Sequence, residues 1–213
     1  MAVINGIYAI ADAGALGTTP LPEAVAAMAG AGIGWIQVRA KHLSGRELYR
    51  ALEGCCRAVE GTGAALWVDD RADLAALFPV AGVHVGQTDL PPAAVRRVVG
   101  ERVRIGLSTH DEAQLAAADA DPDVDVIAVG PVFPTASKER PDPVVGLDFV
   151  RWARSRTSRP LVAIGGIEVD TVAAVLEAGA DAAVVLGAVC RGGLEEITKN
   201  ARRLLAAAGP SSG

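Results

Sequence analysis

Eight short runs rich in Val, Ile and Ala recur along the chain, and a stretch with helical periodicity separates each from the next. They are IYAIA (7–11), WIQVRA (35–40), ALWVDD (65–70), GVHVGQ (82–87), RIGLST (104–109), VIAVGP (126–131), LVAIGG (161–166) and AAVVLG (182–187). Such alternation marks βα units and a parallel sheet. Eight units without a linker predict a closed (β/α)8 barrel, with an open doubly wound sheet as the alternative. The 213 residues suit one barrel domain. It is expected over residues 1–208, with GPSSG (209–213) as a disordered tail. Hydrophobic residues make up 51% of the chain and aromatics only 4%, so the core is expected to consist of Ala, Val, Leu and Ile.

The same reading excludes several functional classes. No apolar run approaches the roughly 18 residues that cross a bilayer, and residues 1–12 lack the basic start of a signal peptide. A cytoplasmic protein without a membrane partner is expected. Cys55, Cys56 and Cys190 are odd in number, and two are adjacent, which suits buried thiols better than a disulfide framework. A net charge of −5 and the lack of a Lys/Arg run argue against nucleic acid. Small-molecule ligands are the expected partners, and assembly into a homo-oligomer stays open. Helix starts are legible at Ser44 with Glu47, at Pro91-Pro92, at Asp111 and at Asp170.

In either architecture a ligand sits at the C-terminal strand edge, so function is sought in the last residues of each run. Gln37, Arg39 and Lys41 alternate along the second run and share one face. Three polar groups there suit a wet, ligand-filled interior, with the two cations matched to phosphate. Asp69-Asp70 end the third run and Asp89 follows the fourth. Mg²⁺ takes hard oxygen ligands, usually one or two carboxylates plus substrate phosphates, and these aspartates fit that demand. The alternative is that they cap the following helices. His84 is expected to be a hydrogen-bonded interior residue. Ser108, Thr109 and His110 end the fifth run at the active edge. The Pro-rich segment GPVFPTASKERPDPVVG (130–146), carrying Thr135, Ser137 and Lys138, is expected to be a clamp or lid over residues 132–145. Gly165-Gly166 and Gly187 would let a phosphate approach the backbone closely.

QVRAK, VDDRADLA, GVHVGQTDLP, GLSTH, GPVFPTASK, AIGGI and VVLGA, in that order, resemble the thiamine-phosphate synthase family from about Tyr8 to Val189. The resemblance implies a (β/α)8 transferase that joins hydroxymethylpyrimidine diphosphate to hydroxyethylthiazole phosphate, giving thiamine phosphate and diphosphate. It implies that Gln37, Val38, Arg39, Ala40 and Lys41, with Ser108 and Lys138, bind the pyrimidine diphosphate. Arg39, Lys41, Ser108 and Lys138 would be catalytic, and Asp70 and Asp89 would hold Mg²⁺. Thr135, Ala136, Ser137, Gly166, Leu186 and Gly187 would bind the thiazole phosphate. Asp69 stands where the family usually has Asn, on the pyrimidine side, and Ala40 where it often has Glu. A thiazole tautomerase on the same barrel and a non-catalytic phosphate-ligand barrel are the other readings. Retention of Asp70, Asp89 and Lys138 favours the synthase.

Overall fold

The alternation of extended and helical periods is realised throughout the computed structural model, which describes residues 6–135 and 143–209. Among these, eight strands pair in parallel in chain order and close on themselves, β8 pairing with β1. They are β1 (Gly6–Asp12), β2 (Trp35–Arg39), β3 (Ala65–Asp69), β4 (Gly82–Val85), β5 (Arg104–Thr109), β6 (Val126–Val129), β7 (Leu161–Ile164) and β8 (Ala182–Val185). The closed (β/α)8 barrel expected from the eight units is thereby realised, and the open-sheet alternative falls away. The helices are α1 (Leu21–Gly30), α2 (Gly45–Val59), α3 (Ala72–Ala75), α4 (Pro92–Val99), α5 (Glu112–Ala120), α6 (Gly146–Arg156), α7 (Val172–Glu177), α8 (Gly187–Cys190) and α9 (Leu194–Ala208).

Strands β4, β6, β7 and β8 each stop two residues short of the apolar run that announces them. For β6 and β7 the physical reason is in the terminal residues: Pro131 has no N–H to give the ladder, and Gly165 and Gly166 take φ of +106° and +63°, outside the extended region; after β8, Gly187 already opens α8. These residues therefore belong to the βα loops. That is where a ligand can reach them.

Alternation along the strands builds two apolar layers. Ile7, Ala9, Ala11, Ile36, Val38, Val83, Ile105 and Ile127 face the helices and form the larger core. Inside the barrel the filling differs from the aliphatic expectation. Tyr8, Trp35 and Trp67 occupy the lower interior, with the Trp35 and Trp67 ring centroids 4.7 Å apart and Tyr8 edge-on to Trp35 at 5.5 Å. Rings fit because the facing positions are small. A Cβ on Gly82 would lie 2.3 Å from the Trp67 ring, so only glycine lets that indole lean across β4. Composition reports the total of aromatic residues but not their convergence on one volume.

Of the expected caps, Ser44 and Glu47 form the full capping box of α2, and the Asp111 carboxylate accepts from Gln114 N at 2.8 Å at the start of α5. Asp170 does not cap α7: the helix opens from Thr171 without a side-chain cap, while Thr171 Oγ1 accepts from Glu168 N at 2.9 Å. The Ser44→Ala variant is expected to lose about 1 kcal/mol, the usual worth of an N-cap, with activity unchanged. Urea unfolding measures this, and a loss below about 0.3 kcal/mol would show that the box adds nothing in this helix. Cys55 and Cys190 are buried as expected, whereas Cys56 is only half-buried. Burial pushes the Cys55 thiol up to about 12 and that of Cys190 to about 11, which leaves both inert as nucleophiles.

Candidate active site

Along the inward face of each strand the side chains change from apolar to polar toward the C-terminal edge. In β1, Tyr8 and Ile10 belong to the interior cluster and are followed by Asp12. In β2, Trp35 is followed by Gln37 and Arg39; in β3, Trp67 by Asp69; in β4, Gly82 by His84; in β5, Gly106 by Ser108. Barrel closure brings these second and third positions together. Gln37 is only 3% exposed, and both ends of its amide have a partner: Tyr8 donates its hydroxyl to Gln37 Oε1 at 2.9 Å, and Gln37 Nε2 donates to Asp69 Oδ1 at 2.7 Å. Its amide is thus oriented from both ends, with the indole floor beneath it.

Above this layer lies a cluster of cations and carboxylates. Arg39 pairs with Asp12, and Arg39 Nε lies 3.6 Å from Asp69 Oδ2. Lys41 Nζ lies 3.3 Å from the same oxygen and pairs with Asp70. Asp12 also accepts from Ala15 N at 2.8 Å, which turns the chain after β1. Burial pushes the Asp69 carboxyl above the ordinary range, opposed by Lys41 and Arg39 and aided by the negative charge of Asp89. Among the described residues, Asp69 Oδ2 has no hydrogen-bond donor despite the two nearby cations.

Neither Asp69 nor Asp70 supplies the cap considered for the next helix; α3 opens from Arg71 without a side-chain cap. Asp70 instead takes φ of +57°, the left-handed conformation that a short polar residue tolerates. Its N–H donates to His84 O at 2.8 Å, which ties the end of β3 to β4. Asp89 likewise leaves α4 uncapped and accepts from Gly86 N at 2.8 Å, closing the turn after β4. It is exposed at the barrel mouth.

His84 is the hydrogen-bonded interior residue expected from its place in β4: its Nε2 lies 2.9 Å from Ser108 Oγ. His110 Nδ1 lies 2.6 Å from Gly130 O. Ser108 faces two ways, because it also lines a cavity of about 410 Å³ over β5 to β8. That cavity is lined by Thr135, Gly166, Leu186 and Gly187, four of the six residues expected to bind the second phosphate. The first turn of the loop after β6 is fixed over it: Val132 N donates to Ile164 O at 2.9 Å and Phe133 N to Gly165 O at 3.0 Å. A Cβ on Gly166 would lie 2.4 Å from Pro134 O, so this contact requires glycine.

Two expected binding residues lie elsewhere. The side chains of Val38 and Ala40 are buried in the helix-facing core, on the opposite side of β2 from Gln37 and Arg39, so only their backbone is near the mouth. Ala136, Ser137 and Lys138 fall outside the described residues, as do the middle of the expected lid and the tail beyond Gly209. Asp12, Tyr8, Glu168 and Arg191 were not anticipated. Asp12 had a usable signal, since it is the polar residue ending the first apolar run.

Among the described residues no group of three or more His, Cys, Asp or Glu side chains is arranged to hold a metal ion. Asp70 and Asp89 nevertheless fit a hard divalent ion that draws its remaining ligands from substrate oxygens and water. The Asp69 oxygen without a donor and the ammonium of Lys41 against Asp70 both mark a place for positive charge.

Fold and site together define a (β/α)8-barrel enzyme that handles small molecules at the C-terminal edge of its strands. The thiamine monophosphate synthase family matches residues 7–189, and the chain belongs to that family. It is 44% identical to a thiamine-phosphate synthase of Koribacter versatilis over 184 residues, covering 84% of this chain and 86% of that one. A second relative, the thiamine-phosphate synthase of Acidothermus cellulolyticus, is 44% identical over 170 residues, covering 79% and 80% of the two chains. The solved thiamine phosphate pyrophosphorylase of Pyrococcus furiosus superposes with a TM-score of 0.86 at 28% identity, covering 99% of this chain and 98% of that one. More distant barrels, such as a tryptophan synthase α-subunit at 15% identity and a TM-score of 0.68, share the fold alone.

Proposed function

We propose that the chain is a transferase joining hydroxymethylpyrimidine diphosphate to hydroxyethylthiazole phosphate, with release of diphosphate. The observation that carries this reading is Ser108, which bonds His84 beside the cation–carboxylate cluster and also lines the cavity over β5 to β8. Two charged ligands could therefore meet at one strand end. Gln37, buried and oriented by Tyr8 and Asp69, would hydrogen-bond the pyrimidine. Arg39, Lys41 and Lys138 would neutralise the diphosphate as its C–O bond breaks, while the amino group of the pyrimidine stabilises the benzylic cation left behind. The thiazole nitrogen then attacks that carbon. No protein nucleophile is needed, which agrees with the raised thiols.

Asp70 and Asp89 would hold Mg²⁺, which when bound supplies neutralising charge to the leaving diphosphate. Lys41 would then exchange its pairing with Asp70 for one with a phosphate oxygen. Thr135, Ser137, Gly166, Leu186 and Gly187 would hold the thiazole phosphate, largely through backbone N–H groups. Catalysis on this scheme is positioning and electrostatics. The reading includes a cytoplasmic place of action. Among the described residues no helix is long and apolar enough to cross a membrane.

The direct test is formation of thiamine phosphate from the two purified substrates, with Mg²⁺ and after chelation. No product with Mg²⁺ would defeat the reading, and undiminished product after chelation would defeat the metal assignment. For Asp69→Asn, activity is expected to equal or exceed that of the parent. Asn keeps the oxygen that accepts from Gln37 Nε2 and removes a buried negative charge whose ionisation is opposed by burial. A fall of about tenfold or more in kcat/KM, worth about 1.4 kcal/mol, would instead make Asp69 a working ligand.

A further inference from the structure

One charged pair at the cavity is not used by the scheme above. Glu168 follows β7, two residues after Gly166, and Arg191 follows α8, four residues after Gly187. The guanidinium meets the carboxylate as a fork: Arg191 Nη1 lies 3.0 Å from Glu168 Oε2, and Nη2 pairs with Oε1. Both residues line the cavity with Thr135, Gly166 and Gly187. A Cβ on Gly187 would lie 3.7 Å from Arg191 Nη2, so the guanidinium sits against the backbone expected to meet the thiazole phosphate. Among the described residues lining the cavity, Arg191 is the sole Lys or Arg and Glu168 the sole carboxylate. A phosphate monoester near pH 7 carries about −1.5 to −2 charge and presents the same fork of oxygens to arginine as Glu168 does. The Arg191 side chain is 65% exposed, so it can turn from one partner to the other without disturbing the core.

We propose that Arg191 binds the phosphate of the thiazole substrate, and that Glu168 is a positioning residue holding the guanidinium at the cavity wall until the phosphate displaces it. This rests on the proposed reaction for the identity of the ligand. The pair would make the cavity select a phosphorylated thiazole over its free alcohol. The phosphate takes over an arginine already oriented, while the alcohol leaves it on Glu168.

The test is calorimetric binding of hydroxyethylthiazole phosphate and of the unphosphorylated alcohol, alongside turnover. In Arg191→Ala, the Kd for the phosphate is expected to rise at least tenfold. The Kd for the alcohol and the KM for the pyrimidine diphosphate should stay within about twofold. Arg191→Lys should recover only part of the loss, because an ammonium cannot form the fork. Glu168→Gln should tighten phosphate binding severalfold, and by less in an Arg191→Ala background. An unchanged phosphate Kd in Arg191→Ala, with wild-type protein making product, would overturn the role of Arg191 and leave the reaction standing. Tight, Arg191-dependent binding without product would do the reverse. No binding of the phosphate by wild-type protein would overturn both. Equal tightening by Glu168→Gln in both backgrounds would overturn the displacement step.

Discussion

Asp89→Ala is expected to lose Mg²⁺-dependent formation of thiamine phosphate by about a thousandfold or more, near 4 kcal/mol of barrier. The magnitude follows from what the residue would do. A diphosphate leaving at the barrel mouth needs its new charge balanced, and Asp70 alone gives a divalent ion one anchoring carboxylate instead of two. The fold should survive. Asp89 is exposed, and its carboxylate accepts a hydrogen bond from Gly86 N at 2.8 Å, whose loss costs about 1 kcal/mol. Asp89→Asn separates the two roles, since the amide oxygen can still accept from Gly86 N while the charge is gone. It should therefore melt like the parent and remain as inactive as the alanine variant. Retained turnover in Asp89→Asn, or a Mg²⁺ requirement unchanged in either variant, would remove Asp89 from the metal site.

Arg39→Ala is expected to lower both activity and stability, for separable reasons. Asp12 is only 7% exposed and takes its counter-charge from Arg39, whose own side chain is 24% exposed. Leaving such a carboxylate without its cation typically costs about 3 kcal/mol or somewhat more. Asp69 would at the same time keep Lys41 as its single nearby cation among the described residues. Turnover should fall by two orders of magnitude or more, because on the proposed reaction the guanidinium would be one of the groups opposing charge on the leaving diphosphate. Arg39→Lys restores a cation but not the fork, so it should recover most of the stability and little of the turnover. The measurements are urea unfolding and kcat/KM for the pyrimidine diphosphate. If Arg39→Ala unfolds at the parent's denaturant concentration, the pairing with Asp12 is not structural. If thiazole phosphate affinity falls as far as turnover, Arg39 serves the whole mouth rather than its diphosphate half.

Much of the site was readable because a parallel strand places its last residues at one edge. Gln37, Arg39 and Lys41 alternate, and Asp69, Asp70, Asp89 and Ser108 each follow an apolar run, so one rule places all of them at the strand edge. Where a motif is carried over as a block the rule does not reach: the side chains of Val38 and Ala40 face the helices, as their parity in the strand requires, and only their backbone is near the mouth. It also stopped one residue early at Asp12, which pairs in register with Arg39 on the neighbouring strand.

The sequence by itself determined the barrel, its eight units and the edge where chemistry belongs, because periodicity and turn residues are local properties that survive without knowledge of any contact. Only the tertiary structure decided which charges meet. Strand closure and register bring Asp12 to Arg39, Asp69 to Gln37 and His84 to Ser108, and the loops after β7 and β8 bring Glu168 to Arg191 across 23 residues of chain. The filling of the barrel by Tyr8, Trp35 and Trp67 was decided in the same way. Whether an indole fits depends on a glycine in the next strand, and that adjacency exists only once the sheet has closed.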